Sequence, residues 1–248
     1  MGGKGTAFVA FDSETGKVLW NGLNEPPSTT SPIIITYSPG EQEMRREVVF
    51  LSGKGLVGFN PLDGEFAWDF PLSQQKVNSS PTPVAVGNLV LTSSMKYGAT
   101  GVHLTRSKGK LTASSLWTNP DLTSSFSPPV LVGKNQVYMV VNKTNPEVTA
   151  NLACIDAKTG KPLWTRQKVG DHHAGLMRTG NNKLLLLTDG GTLKLLDPNP
   201  KAYRELASAK VCGPTFVNPA LANGRLYVRD GTEVLCLELG KAAPAKEK

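Results

Sequence analysis

Few side chains in this 248-residue chain could do chemistry: three histidines, three cysteines and 20 acids. Asp171-His172-His173 is the one cluster whose donors suit a metal ion, because imidazole nitrogens and a carboxylate are common zinc ligands. Neighbouring residues of an extended strand point to opposite sides, so joint ligation by His172 and His173 would need a turn. His103 is the only other histidine, and the cluster reads as a solvated connector. Cys154, Cys212 and Cys236 form no disulfide framework. Asp12, Asp63, Asp156 and Asp197 fall at turns or strand ends, and Ser52-Gly53-Lys54-Gly55 lacks the spacing of a phosphate loop. No Ser/His/Asp or Cys/His constellation follows from these spacings. The sequence therefore assigns no catalytic residue, no cofactor site and no metal site.

The elements that carry these residues are repeats. Ala10-Phe11-Asp12-Ser13-Glu14-Thr15-Gly16-Lys17-Val18-Leu19-Trp20 returns as Cys154-Ile155-Asp156-Ala157-Lys158-Thr159-Gly160-Lys161-Pro162-Leu163-Trp164. A worn copy runs from Gly58 to Trp68 and keeps Gly64, and a fourth keeps little beyond Gly109-Lys110 and Trp117. The four tryptophans stand 48, 49 and 47 residues apart, which is the signature of a repeat array. Each phrase reads as a hairpin: an apolar strand ending at Asp or Asn, a glycine turn, and a second strand carrying Trp. A period of this length suits four short strands, one propeller blade. One blade cannot cover both of its faces, so a large aromatic at one fixed position is a wedge buried against the next blade. The residues expected to dock blades are Ala10, Gly16, Trp20, Gly64, Trp68, Trp117, Cys154, Gly160 and Trp164. Cys154 and Cys236 share the place of Ala10 and are both expected in the core.

The fold class is therefore all-β, a propeller of four-stranded antiparallel blades with about five blades present over residues 1–240. Residues 241–248 read as a disordered tail. The fifth and sixth units lack the Trp. The chain opens with a blade's last two strands and closes with a blade's first three, so the ring is expected to be incomplete, with upstream blades missing. Lysine and arginine outnumber acids by 27 to 20, and the excess is scattered, which suits a solvated basic surface better than a nucleic-acid groove. No apolar stretch is long enough to span a membrane. Four polar segments are expected as exposed loops that meet a partner: Ser38 to Arg46, Tyr97 to Gly101, Asn142 to Thr149 and Gly170 to Gly175.

The Ala-x-Asp-x-x-Thr-Gly-Lys-x-x-Trp phrase at Ala10 to Trp20 resembles the repeat of pyrroloquinoline-quinone (PQQ)-like propellers. That family includes quinoprotein alcohol dehydrogenases and the non-enzymatic outer-membrane assembly lipoprotein BamB. The resemblance covers essentially the whole chain and is specific in two copies. It implies a ring of about eight blades, and it leaves two activities open. A dehydrogenase of this family would need calcium and a catalytic carboxylate beside the quinone, commonly under an adjacent cysteine pair. This chain has no adjacent cysteines and no mappable carboxylate set. The expectation is thus a non-catalytic scaffold for a protein or peptide partner, without cofactor. The resemblance to BamB implies the periplasm or cell envelope, with an export signal upstream. A quinone-dependent oxidoreductase and a sensor propeller of a signalling protein are the alternatives.

Overall fold

The computed structural model describes residues 5, 7–24, 28–40, 43–72, 81–108, 110–143 and 149–240, and only the backbone at 43 and 143. The expected tail at 241–248 lies outside them. Strands β1 (Phe8–Phe11) and β2 (Val18–Gly22) form the first unit. The second holds β3 (Ile33–Gly40), β4 (Glu43–Leu51), β5 (Gly55–Phe59) and β6 (Phe66–Pro71). The third holds β7 (Val84–Val86), β8 (Leu89–Ser94), β9 (Gly98–Ser107) and β10 (Lys110–Asn119). The fourth holds β11 (Val130–Val132), β12 (Gln136–Lys143), β13 (Thr149–Asp156) and β14 (Pro162–Gly170). The fifth holds β15 (Ala174–Arg178), β16 (Leu184–Thr188), β17 (Thr192–Leu196) and β18 (Glu205–Lys210). The sixth holds β19 (Ala220–Ala222), β20 (Arg225–Arg229) and β21 (Val234–Glu238). Each unit is its own antiparallel sheet with strands in chain order, and among the described residues no sheet joins the first unit to the sixth. The molecule is an incomplete β-propeller. Among the described residues no helix is long and apolar enough to cross a membrane.

The core sits in the joints between sheets. Along β12, Val137, Met139 and Val141 pack towards the third unit, with Leu89 and Leu91, while Tyr138 and Val140 pack towards the fifth, with Leu184 and Leu186. A strand covered on both faces loses its polar alternation, which is why β5, β8 and β16 are buried at every residue. Among the described residues the last sheet packs against one neighbour only, and β20 alternates exposed and buried along its length. Leu226 and Val228 enter the joint with the fifth unit. Tyr227 and its cross-strand partner Cys236 face away. Cys236 is exposed, contrary to the expectation from its repeat position, because among the described residues no further sheet covers that face. Cys154, at the same position, is fully buried between the fourth and fifth units.

A bulge recurs between the third and fourth strands. The register slips by one residue at Leu19, Ala67, Leu116, Leu163 and Leu206, each just before the strand turns its next side chain inward. That next residue pairs with a small one in four sheets: Trp20 with Ala10, Trp68 with Gly58, Trp117 with Gly101, Trp164 with Cys154. A Cβ on Gly58 or Gly101 would fall within 2.5 Å of the indole, so the ring lies flat on its cross-strand neighbour.

Three of the indoles then reach the next unit. Trp20 Nε1 donates to the Pro61 carbonyl at 3.2 Å, Trp117 Nε1 to Ala157 at 2.8 Å and Trp164 Nε1 to Asn199 at 2.8 Å. The turn glycine opposite must be small and left-handed: Gly64 (φ 75°) lies under Trp20 and Gly160 (φ 66°) under Trp117. The expectation that all four tryptophans are buried needs correction. Trp68 is buried at 3% exposure, but Trp20, Trp117 and Trp164 are half-buried, because the fourth strand is the outer rim of each sheet. Trp68 also turns its N–H into its own sheet and donates to Glu47 Oε2 at 2.6 Å. The third unit explains this: Ser107 of β9 already pairs with Lys110 of β10, so the hairpin lacks the longer turn whose carbonyl serves the other indoles. Glu47 is fully buried and also accepts from Tyr37 Oη at 2.9 Å and Arg45 Nε at 2.8 Å.

Candidate functional site

Because strands alternate in direction, the connectors between units and the turns joining second to third strands share one end of the ring. The turns joining first to second and third to fourth strands share the other. Three of the four segments expected to meet a partner, those at Tyr97, Asn142 and Gly170, have their described residues at the connector end, and 144–148 lie outside the described residues. Ser38 to Arg46 does not: it is the tip of the β3–β4 hairpin at the turn end, with strands running to Gly40 and from Glu43. Its polar residues alternate with the buried Tyr37, Ser38's neighbour, and with Glu47, so the ladder extends where a loop was expected. Likewise Gly98 to Gly101 lie inside β9, and Asn142 lies within β12, buried at 4% exposure.

At the connector end of the third to sixth units a polar residue at the end of the second strand grips the backbone of the connectors. Ser93 Oγ donates to the Leu122 carbonyl at 2.8 Å and accepts from the Ser124 amide at 3.0 Å. Asn142 bridges two connectors, accepting from the Ser125 amide at 3.1 Å and donating to the His172 carbonyl at 2.9 Å. Asp189 accepts the amides of Asp171, His172 and His173 at 3.0, 2.6 and 3.2 Å. Asp230 accepts the Gly213 amide at 2.7 Å. Burial works against the ionised Asp189, but the amides outweigh it and hold its carboxyl below the ordinary carboxylate range.

These grips set three aromatic rings side by side. His173 is buried at 2% exposure, between Phe126 of the preceding connector (5.8 Å between centroids, edge-on) and Phe216 of the following one (6.1 Å, stacked). Phe126 and Phe216 are themselves 52% and 62% exposed, and Met95 and Val217 add further exposed apolar surface at this end. Burial makes the His173 imidazole harder to protonate, against the opposing pull of Asp189 and of the nearby Asn218. Its Nε2 has no hydrogen-bond partner among the described residues. His173 is thus the neutral floor of an aromatic platform, where the sequence suggested a solvated loop, while His172 and Asp171 are exposed. The sequence reading missed Phe126 and Phe216, although the three rings stand 47 and 43 residues apart, close to the repeat period.

The residues present do not fit a quinone and its metal. Among the described residues no three His, Cys, Asp or Glu side chains converge on one point. Four aspartates are committed to backbone: Asp12 and Asp156 each accept two turn amides and a threonine hydroxyl, and Asp189 and Asp230 hold connectors. What the platform offers is apolar, aromatic contact area held by a rigid frame, suited to binding a polypeptide.

A family model described as outer membrane protein assembly factor BamB matches residues 2–166 and 148–237. The crystal structure of BamB from Moraxella catarrhalis is similar, with a TM-score of 0.61 at 14% identity, over 93% of this chain and 72% of that one. A computationally designed protein, Ika8, aligns with a TM-score of 0.56 at 16% identity, over 86% of this chain and 58% of that one. Quinohemoprotein alcohol dehydrogenase from Comamonas testosteroni aligns at 0.44 and 14% identity, over 88% of this chain and 37% of that one. No curated protein matches the sequence. At such identities the structural likeness is one of fold.

Proposed function

The chain belongs to the family of the outer membrane protein assembly factor BamB, and from that premise we propose that it is a non-catalytic binding module of the cell envelope. Its connector end takes an extended segment of a protein partner. The observation that carries this reading is the platform of Phe126, His173 and Phe216, where two phenylalanines stay more than half exposed although their backbone is pinned on both sides. Exposed apolar area on an ordered surface marks interaction sites. Large, rigid rings also lose little conformational entropy when they bind. Asp189, Asn142 and Ser93 serve this function indirectly by fixing where the rings stand.

The test is a peptide array of extended apolar segments probed with the wild-type chain and with Phe126→Ser/Phe216→Ser. Both positions are exposed, so the variant should melt within a few degrees of wild type and lose at least about tenfold in binding, roughly 1.4 kcal/mol. Undiminished binding by the folded variant would move the site elsewhere. Absorbance titration with pyrroloquinoline quinone and calcium supplies the other arm: stoichiometric uptake would replace this reading with a quinone-dependent oxidoreductase.

A further inference from the structure

The joint between the fifth and sixth units is built differently from its neighbours. After the bulge at Leu206 the residue turned inward is Ala207, which pairs with Leu195 as Trp164 pairs with Cys154. Across the joint, the Leu239 amide donates to Gly224 O as the Ala157 amide donates to Asn135 O. The Leu239 carbonyl therefore stands where the Ala157 carbonyl, acceptor of the Trp117 N–H, stands two joints earlier. Between Ala207 and Leu239 lies a groove of about 590 Å³, lined by Leu185, Leu193, Leu195 and Leu221 as well. Leu195 is bulkier than Ala10, Gly58, Gly101 or Cys154 at the same position and recovers part of the missing ring's volume. All six residues of β18 nevertheless remain exposed.

We propose that this groove receives an indole side chain from a partner polypeptide, seated as the chain's own tryptophans are seated at the other joints. The argument is internal to the molecule. At three joints the equivalent seat is filled by an indole whose N–H meets a carbonyl of the next unit's turn. The fifth unit keeps the bulge and the apolar walls, the sixth keeps the position of the acceptor carbonyl at Leu239, and the ring is replaced by Ala207 beside a larger Leu195. Apolar cavities of ~150 Å³ already take up a single aromatic ring from water. The groove lies at the turn end, away from the platform of Phe126 and Phe216, and does not depend on the function proposed for that platform.

The probe is N-acetyl-L-tryptophanamide, titrated into the full chain and followed by amide chemical shifts. Saturable binding is expected, with the largest shifts at Ala207, Leu221 and Leu239. Leu195→Ala/Ala207→Trp, which transplants the Ala10–Trp20 pair, should weaken it at least tenfold. Ala207→Glu, a change at an exposed strand position, should do the same without any repacking. Equal affinity in wild type and Ala207→Glu would overturn the proposal, as would absence of binding to the full chain. Binding that appears only when residues 241–248 are deleted would make that segment the occupant, and self-association abolished by Ala207→Glu would make it a second copy. Either result also overturns the proposal.

Discussion

Gly16 and Gly160 occupy the same place in their turns with nearly the same backbone, φ +69° and +66°, yet a methyl group added to each meets different surroundings. At Gly16 the new Cβ finds nothing within 4 Å, whereas at Gly160 it would lie 2.3 Å from Cε3 of Trp117. Gly16→Ala therefore carries only the cost of a left-handed conformation, about 1–2 kcal/mol. Gly160→Ala carries that cost and the cost of overpacking, about 1–3 kcal/mol more. In a Trp117→Ala background the clash is gone, and Gly160→Ala should fall back to about 1–2 kcal/mol. The cycle then yields a coupling of about 1–3 kcal/mol between two residues 43 apart in sequence. Urea unfolding followed by circular dichroism on the four variants gives the numbers. Equal losses for Gly16→Ala and Gly160→Ala would refute the view that the neighbouring indole keeps this turn small. So would an undiminished Gly160→Ala penalty when Trp117 is absent.

Two further outcomes follow from buried polar groups. Glu47→Ala strands the donors of Tyr37, Arg45 and Trp68 and should cost about 3–5 kcal/mol by urea unfolding; a loss under about 1 kcal/mol would mean that the carboxylate is not the organiser of that sheet. Asp189 and His173 both bind a proton less readily in the fold than in the unfolded chain, so the stability they give is complete above their unfolded values and drains away as pH falls. The melting temperature should therefore drop on acidification, less steeply in Asp189→Asn than in wild type, and parallel curves would refute the connector grip.

The ring architecture was legible because two physical needs repeat in the sequence: a left-handed glycine in the turn and a large ring to fill the joint. Trp20 and Trp117 use them together, with Gly64 and Gly160, and the copies at Ala10 and Cys154 announce the hairpin. Trp68 shows where such reading stops. Its spacing matches the grid, but its N–H partner depends on the length of a hairpin in the next unit, and Glu47 gives no sign in sequence of being buried. Cys236 fails for a related reason, since its repeat position implies a covering sheet that this face does not have. The platform was the least legible part. Phe126, His173 and Phe216 come from three connectors, and nothing local says that their rings meet. Their signal was periodic, as was the polar residue at the end of the second strand in the third to sixth units, Ser93, Asn142, Asp189 and Asp230.

The bulge before each rim position has a consequence for life at high concentration. Five of the six sheets present a bulged last strand at the outside, and a row of similar outer strands is a template on which other copies of the chain could stack. The slipped residue at Leu19, Ala67, Leu116, Leu163 and Leu206 interrupts each of these strands, near its start in all but β10, and twists it. A strand arriving from another molecule could satisfy its hydrogen bonds only on one side of the interruption. The same extra residue that turns an indole inward thus keeps the rim from recognising itself.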